Sequence, residues 1–148
     1  MEVSWLYTAF GMKYKHLQNL ITKKLYVLFA DGGNPFISQS SFQVLDYLSA
    51  RNDRQTTQKD IEKALVINRA TTSKMLMLLE QKGLISRANS PDDARQKIVV
   101  LTEDGEKLRI HNIEKQHEFD TFLEGVLSDE DFKAFDRIYE KMRNALED

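Results

Sequence analysis

Two short amphipathic segments separated by only three residues, Val66 to Asn68, constrain this chain more than any other feature. The first opens on Thr57-Gln58-Lys59-Asp60, which resembles a capping box with Asp60 in the Glu/Gln position. Ile61, Ala64 and Leu65 are its expected buried stripe. Asn68 is placed to cap the second segment, in which Thr72, Met75, Leu76 and Leu79 fall at i, i+3, i+4 and i+7 on one helical face. Gly83 follows as the closing residue, at a position that favours glycine because it needs positive φ. Helices joined this tightly have helix-turn-helix spacing.

The flanks extend the pattern. Leu84–Arg87 and Lys97–Leu101 are strand-like and enclose the polar stretch Ala88–Gln96, which predicts a hairpin with a long tip. Upstream, apolar residues recur at helical spacing from Leu6 to Leu28, predicting a helix over about Glu2–Ala30 with Gly11 as an interior weak point. A helix of about 28 residues would be roughly 40 Å long, too long for one small lobe to cover. Asp31-Gly32-Gly33-Asn34-Pro35 ends it. A second helix is expected from Ser38 to about Ala50, with Phe42, Leu45 and Leu48 or Ser49 inward. Downstream, Thr102 caps a helix to about Val126, and Ser128 with the acids after it opens another in which Phe132, Phe135, Ile138 or Tyr139, Met142 and Leu146 repeat. The fold class is mainly α with a small β-hairpin.

Charge is unevenly placed. The chain of 148 residues has a net charge of −2. Residues 51–97 carry ten basic and six acidic side chains, whereas residues 98–148 carry seven and fourteen. Such asymmetry focuses anion binding on the middle segment. There is no cysteine, hence no disulfide and no thiolate chemistry. The longest apolar stretch, Leu25–Ala30, is far short of the roughly 20 residues needed to cross a bilayer. Met1–Phe10 lacks the basic start of a signal peptide, so a cytoplasmic protein is expected.

In a helix-turn-helix the second helix enters the major groove with its first residues against base edges. With Thr72 turned inward, Arg69, Thr71, Ser73 and Lys74 are left facing outward beside the cap Asn68. Arginine can bridge guanine O6 and N7, hydroxyls bond bases or phosphates, and lysine binds phosphate as a point charge.

Three stretches together carry a family resemblance: Asn68–Lys74; Leu79-Glu80-Gln81-Lys82-Gly83-Leu84-Ile85-Ser86-Arg87; and Asp93-Ala94-Arg95 followed by Val99-Val100-Leu101-Thr102-Glu103-Asp104-Gly105. In this order and spacing the segment Thr57–Gly105 resembles the MarR family of transcription regulators. The resemblance implies one domain over residues 1–148. Residues 38–102 would be a winged helix-turn-helix DNA-binding lobe, and 1–37 and 103–148 dimerisation helices. It further implies that Arg95 enters the minor groove from the wing tip, where negative potential is concentrated. Asp93 would hold the Arg95 guanidinium, and Arg87 and Lys97 on the ribbon would meet phosphates. Met77 and Leu78 depart from the family pattern, being apolar where it is often polar.

The implied function is a repressor that binds a pseudo-palindromic operator as a homodimer and responds to a small-molecule effector. Phe10, Met12, Tyr14 and His16, with Phe42 and Tyr47, are the candidate effector pocket. The rival reading is a winged-helix protein-interaction module without DNA binding, favoured by the acidic isoelectric point near 5.9 and by Met77 and Leu78. No cofactor or metal is expected. His111, Glu114 and Glu118 fall at i, i+3 and i+7, but His117, six residues from His111, points elsewhere. No Gly-rich phosphate loop or nucleophile–base pair suggests an enzyme.

Overall fold

Side-chain caps set where most of the helices begin. In the computed structural model, which describes residues 9–51 and 55–147, Ser38 Oγ accepts the Ser41 N–H and opens α2 (Gln39–Ala50). Thr57 and Asp60 exchange the two bonds of a full capping box at the start of α3 (Gln58–Leu65). Asn68 Oδ1 accepts the Thr71 N–H and opens α4 (Arg69–Gln81). Thr102 and Ser128 do the same for α5 (Glu103–Glu124) and α6 (Asp129–Glu147). Such caps satisfy N–H groups that the first turn leaves without intrahelical partners.

The first helix, α1, has no such cap and runs over Phe10–Phe29, after an extended Ala9. It therefore starts later than the predicted Glu2, and the expected turns over residues 2–8 lie outside the described residues. Gly11 consequently stands in the first turn rather than in the interior, so it is not a bending point.

Strands β1 (Ile85–Asn89) and β2 (Lys97–Leu101) form the expected antiparallel hairpin, with Ile85 opposite Leu101 and Asn89 opposite Lys97. β1 starts one residue later than predicted, because the Leu84 N–H is turned back to Leu79 O at 3.0 Å in the turn that precedes it. The other edge of β2 is also held. Val99 N–H donates to Thr56 O at 2.8 Å, and Thr57 bridges Ile98, so the ribbon is tied to the residues that open α3.

Chain contacts divide the molecule into two compact units, residues 1–115 and 116–148, with the boundary inside α5. The core of the first unit gathers Ile37, Val44, Leu45, Leu48, Ile61, Met75, Leu76, Leu79, Leu84, Ile85, Val99 and Leu108, with Phe42, Tyr47 and Leu65 packed against it. The inward face of α4 is as predicted, Thr72 included. On α3, Ile61 is buried and Leu65 half-buried, but Ala64 is exposed, contrary to expectation. It lies about 60° round the helix from Ile61, enough to leave the single inward stripe of so short a helix.

The first turns of α5 belong to this unit. Leu108 enters the core, and Arg109 donates to Asp46 of α2 and to Glu106, both at 2.9 Å. Asn112, one turn on, is buried with neither amide atom paired. In the second unit, Phe119 and Phe122 pack ring to ring, while α6 has no buried residue.

Candidate nucleic-acid interface

The turn between α3 and α4 is built by Val66, whose backbone is left-handed (φ 55°) although its side chain is branched. Its N–H and that of Ile67 both return to Glu62 O, which closes α3 and redirects the chain within three residues. A non-glycine residue pays about 1–2 kcal/mol for this conformation. The result is a close pairing of α3 with α4, beside a ribbon whose second strand is tied to the residues that open α3.

A cleft lies between these three elements. Thr57, Gln58, Lys59 and Glu62 of the α3 region, Arg69 and Ser73 of α4, and Arg87, Arg95, Gln96, Lys97 and Val99 of the wing line it. Five of these side chains are cationic and one is acidic, so the cleft suits a polyanion.

The predicted interface residues divide into three groups. The cleft brings Arg69, Ser73, Arg87, Arg95 and Lys97 together. Asn68, Thr71 and Lys74 stand exposed on the same end of α4 but outside the cleft wall, and Asn68 spends its oxygen on the cap. Among the described residues Arg69, Lys74, Arg95 and Lys97 form no ion pair, which leaves their charge available.

Two of the predicted residues have partners within the protein. Asp93 Oδ1 accepts the backbone N–H of Arg95 at 2.9 Å, so it shapes the tip turn rather than gripping the guanidinium. With only Ala94 between the two residues in this turn, that nearby N–H is the easier donor to reach. Arg87 is already engaged: its Nε and Nη2 meet the two oxygens of Glu80 at 2.9 and 3.2 Å. The pair holds the Glu80 carboxyl below its ordinary pKa and raises that of Arg87. Only part of the Arg87 fork is left for a phosphate.

Sequence reasoning passed over Gln58 and Glu62. Gln58 Nε2 donates to Glu62 Oε1 at 2.9 Å and to Ser73 Oγ at 2.8 Å, linking the two helices inside the cleft. The i, i+4 spacing of Gln58 and Glu62 was a signal; the fifteen-residue reach to Ser73 left none.

The candidate effector residues occupy unlike surroundings. Phe10 and Tyr14 are 61% and 59% exposed on α1, and Met12 and His16 share that helix. Phe42 and Tyr47 instead pack on the core, with the Arg51 guanidinium 5.3 Å from the Tyr47 ring centre. Among the described residues no three His, Asp or Glu side chains gather to hold a metal ion, His111, Glu114 and Glu118 included.

Residues 37–96, which carry α2 to α4 and most of the wing, match the sequence profile of the MarR family. The crystal structure of the Staphylococcus aureus MepR–DNA complex aligns over 93% of this chain and 96% of that one, with a TM-score of 0.76 and 27% identity. Over these residues the chain is similar to the MarR family. It is also 37% identical over 82 residues to the transcriptional regulator HosA of Escherichia coli O111:H-, covering 55% of this chain and 61% of HosA. With the uncharacterized HTH-type transcriptional regulator YdgJ of Bacillus subtilis (strain 168) it shares 32% over 109 residues, 73% of this chain and 65% of YdgJ. The match thus spans less than two thirds of either relative's length. The winged helix-turn-helix architecture is the one the sequence predicted, and among the described residues no helix is long and apolar enough to cross a membrane.

Proposed function

We propose that this chain is a sequence-specific DNA-binding transcription regulator, a ligand-responsive repressor acting as a homodimer on a pseudo-palindromic operator. The observation that carries this reading is the cleft between α4 and the wing, where Arg69, Arg95 and Lys97 stand together and none of the three is in an ion pair among the described residues. Two-fold symmetry would set two such α4 helices in successive major grooves, about one helical turn apart. Dimerisation is supported by apolar side chains left open on α1, on the end of α5 and on α6. The effector would act on the set Phe10, Met12, Tyr14, His16, Phe42 and Tyr47, favouring a lobe separation that does not fit DNA. No catalytic role and a cytoplasmic location belong to the same proposal.

A protein-interaction module is the second reading, favoured by Met77 and Leu78, each 43% exposed on α4. Selection from a pool of random duplexes separates the two. The regulator enriches a two-fold symmetric site with half-sites about ten base pairs apart, and Arg95→Ala weakens binding to it by about 1–3 kcal/mol without unfolding the protein. Enrichment of no sequence at low salt favours the interaction module. Undiminished affinity of the Arg95 variant for a selected site removes Arg95 from the interface.

A further inference from the structure

The polar chain Glu62–Gln58–Ser73 crosses the cleft between α3 and α4, and its direction is fixed by charge. An ionised carboxylate only accepts hydrogen bonds. Glu62 Oε1 therefore takes an N–H of Gln58, at 2.9 Å, and so orients the Gln58 amide with its nitrogen inward. The second N–H of that nitrogen then points to Ser73 Oγ at 2.8 Å, where the serine must accept. Its own hydroxyl proton is left over. A serine inside a helix often gives that proton to the carbonyl four residues back, as Thr72 does here to Asn68 O at 2.9 Å. Ser73 makes no such bond, and its side chain is exposed on the cleft wall.

Building on the DNA-binding reading, we propose that Glu62 and Gln58 are positioning residues that present the Ser73 hydroxyl proton to DNA, so that Ser73 selects a hydrogen-bond acceptor. Acceptors of this kind are phosphate oxygens and the major-groove atoms guanine O6 and N7, adenine N7 and thymine O4. The exocyclic amino groups of cytosine and adenine are donors and meet the proton unfavourably. The relay also accounts for an acidic residue in an otherwise basic cleft: Glu62 sets the polarity of a neutral pair instead of opposing the phosphates directly.

The test is a double-mutant cycle on a site selected by the wild-type protein, with Ser73→Ala, Gln58→Ala and the double variant, each checked for an unchanged thermal transition. Loss of Ser73 should weaken binding roughly tenfold, as for a hydrogen bond to a charged or well-placed acceptor. The cost of Gln58→Ala should largely disappear once Ser73 is alanine. Ser73→Thr, which keeps the hydroxyl, should retain most of the affinity. Gln58→Glu should behave like Ser73→Ala even at high salt, because a carboxylate at 58 captures the serine proton. A preference lost at one base position places the acceptor on a base edge, and a uniform loss across sequences places it on phosphate; either supports the relay. Wild-type affinity in Ser73→Ala, or an equal Gln58→Ala cost in both backgrounds, overturns it. Failure of the wild-type protein to select any duplex is a different result and overturns the DNA-binding reading beneath it.

Discussion

Asp60 concentrates several small effects on one carboxylate. It accepts the Thr57 backbone N–H at 2.8 Å and the Thr57 hydroxyl at 2.9 Å, and the backbone bond is the main cause of a pKa held below 3.8. A carboxyl whose folded pKa is lowered contributes stability that is fully present above its unfolded value, near 3.9, and is lost as pH falls through the folded value. Asp60→Ala should therefore destabilise the protein at neutral pH by about 0.5–1.5 kcal/mol. The gap from wild type should close as pH drops below about 4. Denaturant melts across pH measure this, and a pH-independent gap would contradict the assignment. Caps of this kind were legible in the sequence, because Thr57 and Asp60, or Asn68 and Thr71, are three residues apart and local geometry alone brings them together. Bonds set by the tertiary fold were not. Glu80 reaches Arg87 across the turn at Gly83, and Gln58 reaches Ser73 across two helices. The left-handed Val66 also gave no warning, since neither its type nor its neighbours favour that conformation, and at 84% exposure no burial explains it.

Among the elements, the junction between wing and α5 is the most tightly specified. Thr102 Oγ1 donates to Gly83 O at 2.6 Å and accepts the Gly105 N–H at 3.0 Å, while Thr102 N–H donates to Leu84 O at 3.2 Å. One side chain thus joins the end of α4, the end of β2 and the start of α5. Gly105 sits against this knot: a Cβ there would lie 2.0 Å from Leu84 O and 2.7 Å from Leu101 Cδ1. Backbone oxygen cannot swing away as a long side chain can, so Gly105→Ala should cost about 1–3 kcal/mol or more. Equilibrium urea unfolding reads the loss, and a variant as stable as wild type would mean the junction yields easily. In the sequence this glycine was visible as part of a motif, and its physical reason was not, because the atom it avoids belongs to residue 84. Helix existence and order were legible from apolar period and caps. Less legible were the ends, such as the start of α1 at Phe10, and the bridge from Thr57 to Ile98, which involves too few residues to leave an alternating pattern.

At the scale of the whole molecule, the open question is what covers the apolar side chains that neither unit buries. On α6, Phe135 is 64% and Ile138 50% exposed, and Tyr139 and Leu146 are open as well. An apolar stripe on a helix of nineteen residues with no buried position is more surface than a solitary protein usually leaves to water. A second copy of the same helix is self-complementary under two-fold symmetry, which makes a homodimer the natural cover. The same stripe was visible in the sequence as a helical repeat, but a repeat cannot say whether its own chain or another buries it. Phe135→Glu combined with Ile138→Glu should shift the protein to monomer in sedimentation velocity, since paired charges would have to be desolvated at the contact. The consequence for DNA is separable from the consequence for fold. Two linked lobes bind a full palindrome with the second contact effectively intramolecular, an advantage of about 10²–10⁴. The double variant should lose that factor on the palindrome and keep its affinity for an isolated half-site, because α4 and the wing are untouched. A variant that still sediments as a dimer would move the interface off α6. One that is monomeric yet binds the palindrome as tightly as wild type would instead mean that each lobe acts alone, and operator symmetry would then have no counterpart in the protein.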